Sequence, residues 1–163
     1  LENLEIKRIY DKLERNVLIL IAIPIPFFAI AYLNSQNGTL SLDLPEVPEF
    51  WNSFGIGFVY VGLGMHYFTF HSALKKILDF NPNLEDKIKD YAKATMQRFW
   101  VLFISGMICS VGLLLFDNPG YTIAFAITLV FCSLGKPSPD RIIRLLKLKG
   151  EERQAIELLK RRG

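Results

Sequence analysis

Charge is missing from almost half of this chain. Of its 163 residues, four runs contain no Asp, Glu, Lys or Arg: Val17–Leu33 (17 residues), Phe50–Leu74 (25), Phe99–Phe116 (18) and Asn118–Gly135 (18), 78 residues in all. At 1.5 Å per residue, 17 or 18 helical residues reach about 27 Å, close to the hydrocarbon thickness of a bilayer. A soluble domain spreads its charges along the chain. Such runs therefore exclude an ordinary soluble enzyme and a disordered tail. They also make a nucleic-acid partner a poor reading of the net charge of +3.

Positive charge is absent from a second set of places. The segments Asn34–Glu49 and Asp117 hold no Lys or Arg and carry only Asp43, Glu46, Glu49 and Asp117. All 19 basic residues lie before the first run, between the second and third, or after the fourth. Basic residues flanking spans stay on the cytoplasmic side. The expected architecture is an all-α, polytopic membrane protein. Four transmembrane helices (about 17–33, 50–74, 99–116 and 118–135) would carry cytoplasmic helical extensions, and both termini would be cytoplasmic. Tyr32, Trp51 and Tyr121 fall where outer aromatic anchors belong, and Trp100 near the inner boundary. The lean loops make a bacterial inner membrane the default setting. The segment Leu1–Asn16 is too evenly charged for a signal peptide, and no small-residue cleavage site follows the first run.

Cysteine and histidine are scarce. Cys109 and Cys132 both fall inside expected spans, away from metal-ligand partners, and read as small apolar residues. No metal or other cofactor is expected.

What remains is helical in pattern. Ile6, Ile9, Tyr10, Leu13 and Val17 form a stripe running into the first span. Asn83 with Asp86 marks a helix start after an Asn81-Pro82 break, and nothing stops that helix before Phe116. The second span can continue through Lys75 and Lys76 to about Phe80. Beyond residue 135, segment 136–163 reads as an amphipathic cytoplasmic tail, separate from the bundle of 1–135. Ser138 caps a helix with Pro139 at its first position, and Gly150 ends it. Its apolar side carries Ile142, Ile143, Leu145, Leu146 and Leu148, opposite Arg141, Arg144 and Lys147. Those three basic residues suit the anionic lipid of a cytoplasmic membrane face. Docking on the bundle's extension is the equal alternative. The outer connection has a turn signal at Asn37-Gly38, with Pro45 and Pro48 against regular structure. Asn37-Gly38-Thr39 also fits a glycosylation acceptor, although a bare turn is the simpler reading.

No expected span contains an ionisable carboxylate or amine, which most ion-coupled transporters need. Ser105, Ser110 and Ser133 are possible nucleophiles, but the only neutral-pH bases are His66 and His71. Five residues apart on one helix, these point about 140° away from each other and cannot chelate a metal together. Pro24 and Pro26 free the carbonyls of Leu20 and Ala22 from helix hydrogen bonds, and lipid offers those carbonyls no substitute. They lie at roughly the depth of His66, Tyr67, Thr69, His71, Cys132 and Ser133. A polar pocket open to the cytoplasm is one expectation, and a healed proline kink is the other. Gly55 and Gly62 share one face of the second span, and Gly57 and Gly64 share another. With Ser105, Gly106, Cys109 and Ser110 in the third span, they make seams for close helix packing. Two glycine faces suggest that the second span is either central in the bundle or lies between protomers. The leading functional expectation is a non-enzymatic assembly, accessory or scaffold protein that forms a homo-oligomer or joins a larger membrane complex. The alternative is a small channel or transporter using the polar pocket.

Overall fold

A computed structural model describes residues 2–37, 47–80 and 83–160. The turn at Gly38, Thr39 of the possible glycosylation site, Pro45 and the Asn81-Pro82 break lie outside the described residues. Among the described residues seven helices follow one another: α1 (Glu2–Ala22), α2 (Pro24–Asn37), α3 (Glu49–Phe80), α4 (Leu84–Phe116), α5 (Pro119–Gly135), α6 (Pro139–Leu145) and α7 (Glu151–Lys160). Among the described residues there is no strand.

Local chemistry accounts for most boundaries. The side chain of Asn83 accepts from the Glu85 amide and opens α4. Its last turn closes at Asp117, in the left-handed region, where the Asp117 amide donates to the Leu113 carbonyl. Asn118 caps α5 ahead of Pro119, and Ser138 caps α6 ahead of Pro139. Between α1 and α2 a single turn residue, Ile23, precedes Pro24, whose missing N–H interrupts the ladder. α6 ends at Leu145 rather than running to Gly150, because Lys147 already takes a left-handed conformation (φ 53°).

By length and composition, two helical stretches among the described residues could cross a membrane, Leu4–Asn34 and Leu84–Phe116. A third is possible if α5 and α6, bent by 84°, are taken as one unit. The expectation of four is therefore met only in part, for two physical reasons. α3 is charge-free over Phe50–Leu74, but its glycines, tyrosines and histidines dilute its hydropathy. α5 has only 17 residues, at the short limit for a spanning helix.

The hub of the bundle is α4, not α3. α4 packs against α1, α2, α3 and α5. Its buried side recurs at steps of four and three: Leu84, Ile88, Tyr91, Thr95, Arg98, Leu102, Ser105, Cys109 and Gly112. That period keeps one seam facing its neighbours over the whole length of the helix. Small residues let the neighbours in. A Cβ on Gly106 would sit 3.0 Å from the Pro24 side chain, so the proline break of α1–α2 packs directly on α4. Phe28 of α2 stacks on Phe125 of α5 with ring centroids 3.9 Å apart.

At the Asn118 end, α3, α4 and α5 are tied by polar groups. Tyr121 occupies the space beside Gly55 and Gly112, and its hydroxyl donates to the Asn52 carbonyl at 3.0 Å. The Asn118 amide donates to Asn52 Oδ1, and Asn52 Nδ2 donates to Glu49. At the other, basic end, Ile142, Leu146, Leu148 and Ile156 of the tail join the buried cluster that contains Ile88 and Tyr91. Lys87 of α4 pairs with Glu152 of α7 at 3.4 Å. The apolar face of the tail is thus buried within this cluster, α6 and α7 packing on each other, while Arg144 and Lys147 stay exposed and Arg141 is half-buried.

Candidate functional site: a groove between α3 and α4

Two cavities adjoin each other along the α3–α4 contact. The larger, about 360 Å³, has apolar walls from Phe58, Val61 and Met65 of α3 and Val101 and Ile104 of α4. Gly62 lines it too, and a Cβ there would lie 3.9 Å from Ser105 Oγ. Its polar lining is His66, Thr69, Gln97, Arg98 and Ser105. The second cavity, about 340 Å³, shares Ala73, Ala94 and Gln97 with the first and adds Lys76, Asp90 and Lys93. Polarity therefore rises in one direction along the groove. It runs from aromatic and aliphatic side chains, past an imidazole and a guanidinium, to two lysines and an aspartate.

Arg98 is the residue that sequence reasoning passed over. It reads as one of many basic residues marking a membrane boundary. In the fold it is only 8% exposed, and its Nε has no hydrogen-bond partner. Its guanidinium lies 4.6 Å from the centroid of Phe70, a cation–π contact. Gly135 at the end of α5 makes room for it, since a Cβ there would come 2.9 Å from Arg98 Cζ. The ion pairs Lys87–Glu152, Lys89–Glu85 and Arg153–Glu157 leave Arg98 out, and the charges that act on it most strongly include no carboxylate. Arg141 adds a second positive charge to the field there. A signal was available. Arg98 occupies the same four-and-three seam as Thr95 and Leu102, so its period marks it as inward-facing.

The residues singled out from sequence divide into three groups. His66 and Thr69 line the groove with Arg98. His66 is 4% exposed, neither ring nitrogen makes a hydrogen bond, and the ring packs edge-on against Phe131 of α5 at 4.8 Å. Tyr67 and His71, in mutual ring contact at 4.3 Å, lie on the outer surface of α3. The remaining residues do not join the groove. Cys132 is buried in the core and Ser133 is exposed. Leu20 and Pro24 face inward, whereas Ala22 and Pro26 face outward. The structure therefore gathers only part of the polar set into one cavity, and the proline break is not part of its lining. Among the described residues no three His, Cys, Asp or Glu come together as a metal-ligand set.

The glycine faces of α3 also separate. Gly55 and Gly62 turn toward Tyr121 and Ser105, but a Cβ on Gly57 or Gly64 would meet nothing within 4 Å. The open pair belongs to a longer exposed row: Ser53, Gly57, Tyr60, Gly64, Tyr67 and His71. About 90° around the same helix runs a second exposed row: Phe50, Phe54, Phe58, Val61, Met65 and Phe68. α3 thus presents a small and polar stripe, an apolar stripe and the groove, in that order around its axis.

No known protein family matches the chain, and no curated protein or solved structure matches it. The class defined by the fold is that of an all-helical protein with two or up to three helices apolar enough to cross a membrane.

Proposed function

We propose that this chain is a four-span membrane protein without catalytic chemistry of its own, which acts as a self-associating assembly or accessory unit. The basic end, with both termini, faces the cytoplasm, and a bacterial inner membrane is the setting the lean loops favour. In this arrangement α3 and α5 supply the two spans that composition alone leaves undecided. α6 turns along the membrane surface, and Arg144 and Lys147 face anionic headgroups.

One observation carries the reading: the exposed row Ser53, Gly57, Tyr60, Gly64, Tyr67 and His71. Steps of four and three residues make it a single straight seam. The Tyr60 hydroxyl already donates to the Gly120 carbonyl, but hydrocarbon offers nothing to the Tyr67 hydroxyl or the His71 imidazole, whereas a second helix can approach the open Gly57 and Gly64 and meet both. The neighbouring row of Phe, Val and Met suits lipid tails. A transporter would need its polar residues on one path, but His66 and Thr69 lie on the opposite side of α3 from Tyr67 and His71. Assembly is therefore the better-supported reading.

Replacing Gly57 and Gly64 together with Leu should reduce the detergent-solubilised particle from a defined oligomer to a monomer, with its helical content unchanged. A wild-type protein that is already monomeric at high concentration would sink the idea. Topology is tested with single cysteines in place of Asp117 and Lys149, in a background lacking Cys109 and Cys132. A membrane-impermeant thiol reagent should reach position 117 from outside and position 149 only after lysis. Labelling of both from one side would mean that α5 does not cross.

A further inference from the structure

The groove and the seam lie on different sides of α3, so an occupant of the groove is independent of the self-association reading. A buried guanidinium without a carboxylate partner is costly, because desolvation is not repaid by an opposite charge. Arg98 is in that position, at one end of a cavity whose other end is apolar apart from the Ser105 hydroxyl. We infer that the α3–α4 groove binds one anionic phospholipid, its acyl chain between Met65 and Ile104 and its headgroup phosphate on Arg98.

Three features select this occupant. The first is the order of polarity along the groove, which matches that of a lipid entering from the basic face. Arg98 immediately precedes the charge-free run of α4, and Lys76 shortly follows that of α3, so the cations stand where headgroups meet the hydrocarbon. The second is the sign and geometry of the charge. Arginine offers a planar fork of donors suited to phosphate oxygens, and Arg141 reinforces its field. Lys93 and Lys76 extend the positive mouth, partly offset by Asp90 beside them. The third argues against a second copy of the chain as the occupant. None of the four charge-free runs contains an Asp or Glu, so a copy packing alongside brings no carboxylate to Arg98 from its spans. A lipid brings its phosphate to that depth without needing any such residue.

The site is therefore selective and saturable, unlike the diffuse attraction of an exposed basic tail. The test uses the full chain, stripped of endogenous lipid and titrated with phosphatidylglycerol or phosphatidylcholine under native mass spectrometry. One phosphatidylglycerol should be retained per protomer, at least about tenfold more tightly than phosphatidylcholine. Arg98→Gln should abolish that preference, and Arg144→Gln with Lys147→Gln should leave it intact. Thr69→Trp, which fills the groove from an exposed position and keeps every charge, should displace the lipid. It keeps the test decisive if Arg98→Gln folds poorly. Equal retention of both lipids would overturn the inference, as would wild-type selectivity in both groove variants. Displacement of the lipid by millimolar inorganic phosphate would also overturn it, because the groove would then be an anion site that ignores the acyl chain. So would selectivity that tracks dimerisation in the Gly57→Leu, Gly64→Leu variant, since a second copy would then form the site.

Discussion

The two ends of the bundle solve the same packing problem in opposite ways. At the Asn118 end, α3, α4 and α5 meet around a polar side chain that is fully used. Tyr121 fills the hollows left by Gly55 and Gly112, and its hydroxyl, the Asn52 and Asn118 side chains and Glu49 are joined by hydrogen bonds. At the basic end the same three helices meet around Arg98 and His66. There the glycine opposite, Gly135, leaves space for a guanidinium whose Nε is unpartnered, and a cavity opens between α3 and α4. One end is closed with its hydrogen bonds satisfied. The other is open, with a buried cation and an imidazole held mainly by ring contacts to Phe70 and Phe131. Buried polar groups in native proteins are as a rule paired, and the lipid proposed above would give Arg98 a partner that the chain does not.

The largest test of this contrast is Gly112→Leu, which drives a side chain into the Tyr121 ring. Overpacking of this kind should cost about 3 kcal/mol, enough to lower the thermal midpoint by roughly 10 °C. A midpoint within about 2 °C of wild type, less than 1 kcal/mol for a chain of this size, would mean that the Asn118 end is looser than its contacts imply. Next comes Arg98→Met at the other end, where the sign reverses. With the buried charge removed and the volume kept, the lipid-free protein should gain about 1–2 kcal/mol. Adding phosphatidylglycerol should then raise the midpoint of the wild type but not of the variant. Destabilisation of the lipid-free variant would show that Arg98 is satisfied within the chain and would erase the difference between the ends. Smallest is Tyr121→Phe, which removes only the hydrogen bond to the Asn52 carbonyl and should cost about 1 kcal/mol. Paired with Asn118→Ala in a double-mutant cycle, it should show coupling through Asn52. Strict additivity would make the polar cluster a set of separate contacts.

Much of the helix layout was legible from local signals. Asn83 and Ser138 each cap the next helix because an amide or hydroxyl oxygen reaches a nearby backbone N–H whatever the rest of the chain does, and Asn118 does the same ahead of α5 although the sequence reading places no cap there. The inward stripe of α1 was legible too, since Ile6, Tyr10, Leu13 and Val17 fall on one helical face and are buried there. The site was less so. His66 and Thr69 stood out by residue type, whereas Arg98 was hidden by its resemblance to the other basic residues near membrane boundaries. Pro24 suggested freed carbonyls near those polar residues, yet it packs on Gly106, beside Phe125 rather than His66. Periodicity assigns a residue to a face and says nothing about which helix that face meets.

By itself, then, the sequence determined that the chain is helical, where most of its helices start and stop, and which faces of each are apolar. Those properties depend on contacts within a few residues, on capping chemistry and on the 3.6-residue turn. Only the tertiary structure decided that α4 is the hub, that Tyr121 fills one pair of glycines while Gly57 and Gly64 stay open, and that Arg98 is enclosed beside a cavity. Such outcomes depend on how side chains from separate helices fill shared volume, a property of the packed whole and of no single segment.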